Sequence, residues 1–205
     1  LRPPISYVAS VHLGSSAGRV GILARHGGGF ESPYSFALTD GRGELLEEPV
    51  TFYAPIAVDV GVRIAGLRDR FMLWFPSDYP SASTVVEISM RGEILRGPVL
   101  EPAVMLSRFV QSTLAIDPRA TSVAIAQLRE DGTEASLSIV REGRVSQTLG
   151  VPIGPTSGVE TGAQVYWANN GVLLLSWSEH QVGSGGYVAS SRAYVQPVGC
   201  LEESP

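Results

Sequence analysis

The chain has 205 residues, a hydrophobic fraction of 44%, three His, one Cys and a formal charge of −5. Such a composition suits a folded chain with a substantial core, and no apolar run approaches the roughly 18–20 residues of a membrane span. Scattered acids and unclustered bases argue against nucleic acid. All 15 basic residues are Arg, so Schiff-base, Walker and general-base lysines are excluded. Cys200 stands alone, which excludes an internal disulfide and a cysteine zinc site.

In chain order, the first elements are a strand-like run, a turn at 14–18 and an apolar strand at 20–24. A polar loop follows, then the alternating strand Tyr34-Ser-Phe-Ala-Leu38 and a glycine turn opening Gly43-Glu-Leu-Leu. The second copy runs through 58–67, a turn at 68–70, an apolar strand at 71–75, Val85-Val-Glu-Ile-Ser89 and Gly92-Glu-Ile-Leu. The third has a turn at 117–121, an apolar strand at 123–126, Ala135-Ser-Leu-Ser-Ile139 and Gly143-Arg-Val-Ser. The fourth has a run at 161–168, the turn signal Asn170-Gly171, an apolar strand at 172–177, a weaker alternating stretch at 187–194 and Gly199. The runs are short, rich in Val and Gly and without helix caps, so they read as strands.

Aligning Leu23, Leu73, Ile125 and Leu175 gives four repeats of about 50 residues. Four hairpin-linked antiparallel strands per unit predict an all-β fold of β-propeller type, with blades at residues 1–51, 52–100, 101–151 and 152–205. A two-sheet β-sandwich is the alternative. Leu1-Arg-Pro-Pro-Ile5 matches Leu95-Arg-Gly-Pro-Val99, and Gly199-Cys-Leu-Glu-Glu matches Gly43-Glu-Leu-Leu-Glu. Either the two ends complete one blade of a single domain, or the chain is a fragment of a larger propeller. A first residue of Leu rather than Met fits a processed protein or an excised piece.

Gly171-Val-Leu-Leu-Leu-Ser-Trp-Ser-Glu179 followed by Tyr187-Val-Ala-Ser-Ser-Arg-Ala-Tyr194 resembles blades of bacterial surface propeller-repeat proteins. Leu73-Trp74 extends the likeness to the second repeat. Gly27-Gly28 with Tyr34 beyond is kelch-like, but repeats two and three lack the glycine pair; no Trp-Asp dipeptide supports WD40. The resemblance implies a scaffold for binding.

Gly14-Ser15-Ser16-Ala17-Gly18 fits the G-x-S-x-G nucleophile elbow, and His26-Gly-Gly-Gly29 resembles an oxyanion segment. A second strand follows where the elbow requires a helix, so both read as hairpin loops. No catalytic residue, metal site or cofactor is assigned.

The loops after the four apolar strands carry His26 and Glu31, Asp78, Glu130 and Asp131, and Glu179 and His180. Equivalent loops share one face in a propeller, so these residues form the expected ligand rim, with enzyme activity left open. Trp74 and Trp177, at the ends of apolar strands, are expected in the core, whereas Trp167 beside Tyr166 is the candidate exposed ring for stacking on sugar. Arg25, Arg42, Arg91, Arg96 and Arg141 are expected to guard strand edges. The expected function is non-enzymatic binding of a protein or glycan by an exported bacterial module. The alternatives are a carbohydrate-binding or glycan-active propeller, and a purely structural segment. Low charge and abundant Gly, Ser and Thr point outside the cytoplasm. Lysine-free composition points to a GC-rich genome.

Overall fold

The computed structural model describes residues 8–27, 32–54, 62–75, 82–102, 113–128, 134–142, 144–153, 159–168, 171–182, 184 and 188–200. They form strands and turns without a helix. The first sheet is β1 (Val8–Ser16), β2 (Arg19–His26), β3 (Tyr34–Asp40) and β4 (Val50–Phe52), in that order. The second is β5 (Arg63–Gly66), β6 (Arg70–Phe75), β7 (Ala82–Ser89) and β8 (Ile94–Pro102). The third is β9 (Thr113–Ile116), β10 (Ser122–Leu128), β11 (Glu134–Arg141) and β12 (Arg144–Pro152). The fourth is β13 (Val159–Trp167), β14 (Val172–Val182) and β15 (Val188–Cys200), three strands among the described residues.

All pairings are antiparallel, between strands consecutive in the chain. Four separate meanders at the repeat period are propeller blades; a sandwich would gather the strands into two sheets. The fold is all-β, of β-propeller type. Residues 1–5 and 201–205, the segments expected to complete a blade, lie outside the described residues.

The repeat is legible down to single hydrogen bonds. Asp40 Oδ1 accepts from the backbone N–H of Arg42 (2.8 Å) and Glu44 (2.9 Å), and Ser89 Oγ from Arg91 and Glu93 (both 3.1 Å). Both turns close on a glycine at positive φ, Gly43 at 85° and Gly92 at 82°. Side chains that accept from the backbone two and four residues on are a reason Asp and Ser recur before turns. Two expectations fail here. The stretch after Gly43 makes only a bridge between Thr39 and Leu45 before β4 starts at Val50, and Gly199 lies within β15 rather than at a turn.

By its internal contacts the chain divides into two units, residues Leu1–Ala103 and Val104–Pro205. In the first unit, Leu23, Phe36 and Leu38 pack with Phe71, Leu73, Phe75, Val86 and Ile88. Tyr34 meets Phe75 edge-on at 4.9 Å, and Phe36 meets Phe71 at 5.5 Å. Each buried ring or Leu contributes about 1.5–3 kcal/mol through burial. Arg19 donates to the Met90 carbonyl and Ser16 to that of Leu67, tying the two sheets at their polar ends. Arg25, expected at an exposed edge, is instead buried, because it shares the inward side of β2 with Gly21 and Leu23. Glu87 is also buried and pairs with Arg70 at 3.3 Å; Arg70 holds Asp69 at 3.0 Å as well. The Arg70 hydrogen bond keeps the Asp69 carboxyl below its ordinary range.

In the second unit, Ala124, Ala126, Leu137 and Ile139 pack with Ala163, Val165, Leu173 and Leu175. The Thr113 hydroxyl donates to the Ala163 carbonyl at 2.9 Å, joining β9 to β13.

Candidate ligand-binding face of the fourth sheet

The expected rim residues separate. Glu31, Asp78, Glu130 and Asp131 lie outside the described residues. His26 ends β2, where its Nε2 is 2.7 Å from Ser35 Oγ, which in turn lies 3.3 Å from Thr51 Oγ1. Its Nδ1 is buried and has no hydrogen-bond partner among the described residues. This is a hydroxyl–imidazole row across β2, β3 and β4.

Glu179 and His180 belong to a strand rather than a loop, which corrects their expected placement. β14 continues to Val182, beyond the point equivalent to the ends of β2 and β6, and pairs with β15 throughout. Consecutive residues of a strand point to opposite faces. Val159, His180 and Ser191 are in register with one another, and so are Glu160, Glu179 and Arg192. Among the described residues, no three His, Cys, Asp or Glu groups gather as metal ligands.

Next to the Glu160–Glu179–Arg192 row, on the same face, comes the row Ala163–Trp177–Tyr194. The Trp177 and Tyr194 rings stack with centroids 5.3 Å apart and an interplanar angle of 13°. Both are half-buried: Trp177 packs against the edge of the second core, in line with its expected core position, and part of the stack meets water. Trp74 is buried as expected. Trp167, the candidate for an exposed ring, packs half-buried against the second core, while its neighbour Tyr166 is exposed. Sequence reasoning missed the Trp177–Tyr194 pair, although Tyr194 closes the quoted fourth-repeat motif. Only the β14–β15 register shows that the two rings are opposite one another.

No known protein family matches the sequence, and no curated protein resembles it. Among solved structures, the β-propeller domain of the Trilobed protease from Pyrococcus furiosus, which has an open velcro topology, matches with a TM-score of 0.54 and 10% identity. The match covers 94% of this chain and 55% of that one, and it bears out the propeller fold. A GH43_1 enzyme from Xanthomonas citri matches with a TM-score of 0.45 and 13% identity, over 93% of this chain and 68% of that one. An α-L-arabinofuranosidase from Podospora anserina, solved with cellotriose, gives 0.45 and 13%, over 95% and 65%. The chain thus spans between about half and two thirds of these structures.

Proposed function

We propose that this chain is a propeller-type binding module that takes a neutral, ring-shaped ligand of the glycan class at the long end of its fourth sheet. The observation that carries the reading is the half-exposed Trp177–Tyr194 stack, adjoining a row of two Glu positions and an Arg. A stacked indole–phenol pair presents a flat apolar surface with a polar tip. Sugars offer both kinds of surface. Low charge and the Lys-free composition agree with an exported bacterial module. Binding rather than turnover is the primary activity, with the repeats acting as one propeller-type domain.

Titrating the chain with a panel of neutral oligosaccharides, read by tryptophan fluorescence and calorimetry, tests this. Trp177→Ala should weaken binding at least tenfold, because truncating a central aromatic anchor costs about 2 kcal/mol. Failure of every oligosaccharide to bind, or binding undiminished in both Trp177→Ala and Tyr194→Ala, overturns the reading. A hydrolytic reading has one observation in its favour, the opposition of Glu160 and Glu179 across β13 and β14. Paired carboxylates are the usual machinery of glycoside cleavage. Product release by the native chain that disappears in Glu179→Gln, with binding retained, would establish it.

A further inference from the structure

β14 and β15 continue past the second core. Counted from the aligned residues Leu23, Leu73 and Ile125, the strands β2, β6 and β10 end two or three residues on, at His26, Phe75 and Leu128. From Leu175, β14 runs seven residues on, to Val182. Packing does not account for the extra length. Gln181, Ser190, Ser191, Arg192 and Ala193 are all exposed, and ordering exposed residues costs conformational entropy with no burial to offset it. The pairing is uninterrupted from Leu174–Pro197 to Gln181–Ser190. Trp177 and Gln181 on β14, with Ser190, Arg192 and Tyr194 on β15, therefore share one side of the ribbon. The Ser190 hydroxyl donates to Gln181 Oε1 at 3.0 Å, so these two side chains meet and the amide is held in one orientation.

Granted the glycan reading above, on which this rests, we infer that the ligand is a linear oligosaccharide lying along β14 and β15. One ring sits on the Trp177–Tyr194 stack, and a second subsite lies at the Gln181–Ser190 pair. With a rise of about 3.4 Å per residue the two pairs are about 14 Å apart, a distance that one sugar ring does not span and about three linked rings do. The chemistry changes along the same line. The stack offers an apolar platform for the face of a ring. Arg192 only donates, and the Gln181–Ser190 pair offers amide N–H groups as donors and the Ser190 oxygen as acceptor. Hydroxyls at the rim of a sugar both donate and accept, so a chain crossing these positions in turn finds a partner at each.

Glucose and its β-1,4-linked di-, tri- and tetrasaccharides, with the xylose series beside them, are straight neutral probes of increasing length. Calorimetry should show affinity rising about tenfold or more from the single sugar to the trisaccharide and levelling there. Gln181→Ala and Ser190→Ala change exposed side chains, so circular dichroism should stay native while the advantage of the trisaccharide falls to about threefold or less. Trp177→Ala should weaken the single sugar and the trisaccharide alike. A single sugar that binds as tightly as its trisaccharide, or an advantage undiminished in both variants, overturns the second subsite and leaves the aromatic platform standing. Absence of binding by both series at every length overturns it too, and absence across the whole panel of neutral oligosaccharides overturns the glycan reading itself.

Discussion

At the scale of single residues, the turns carry both strain and compensation. Ala17 sits at a φ of 47° in the β1–β2 hairpin, followed by Gly18 at 74°. A two-residue hairpin turn with both residues at positive φ favours Asn-Gly, because a Cβ without a polar side chain is crowded there at a cost of about 1 kcal/mol. Ala17→Asn should therefore stabilise the protein by about 1 kcal/mol, read as a thermal midpoint about 2–4 °C higher. An unchanged or lowered midpoint would show that the turn relaxes in solution. Asp117 presents the opposite case. Burial pushes its carboxyl up, but the N–H groups of Ser122 and Thr121 and the Thr121 hydroxyl, at 3.1, 2.6 and 2.9 Å, together hold it below its ordinary value. A carboxyl lowered by folding stabilises fully above its unfolded value near 3.9, and that stability is lost as pH falls through the lower folded value. Between about pH 6 and 2, the native thermal midpoint should fall more steeply than that of Asp117→Asn. Parallel curves would remove Asp117 from the acid limb.

At the scale of elements, close approach between sheets is controlled by what a strand lacks. A Cβ on Gly66 would lie 2.1 Å from the Ser15 carbonyl oxygen, where β5 runs against β1. Backbone cannot swing aside as a side chain can, so Gly66→Ala should cost about 3 kcal/mol, about 6–12 °C in midpoint. A loss below 1 kcal/mol would mean that β1 and β5 separate freely. The same physics decides what could be read in advance. The turns were legible at Gly43, Gly92 and Gly171 because their chemistry is local: positive φ calls for Gly, and Asp40 or Ser89 recurs one repeat apart. The extension of β14 was not. Its run Ser178-Glu-His-Gln181 is polar and reads as loop, and only pairing with β13 and β15 makes it strand. Trp74 and Trp177 also look equivalent, yet one follows Leu73 by one residue and the other follows Leu175 by two. That offset of one places them on opposite faces of their sheets, one buried and one half-open.

At the scale of the whole molecule, the two cores have no residue in common: one is aromatic, built on Tyr34, Phe36, Phe71 and Phe75, and the other aliphatic, built on Leu137, Val165, Leu173 and Leu175. In repeat folds, stability is carried by such local units and by their nearest neighbours, and each unit can open on its own. Phe71→Ala removes a fully buried ring and should cost about 3–5 kcal/mol. If the cores open separately, native-state hydrogen exchange will place that loss in the first unit. Amides of β2, β3, β6 and β7 should exchange about a hundredfold faster or more, since each 1.4 kcal/mol is tenfold, while those of β11 and β14 stay within a few-fold of native. Leu175→Ala should produce the converse, with β10, β11, β13 and β14 losing protection and β6 keeping it. Uniform acceleration across both units from either substitution would show one cooperative domain. The repeats would then depend on one another for stability rather than only for sequence likeness.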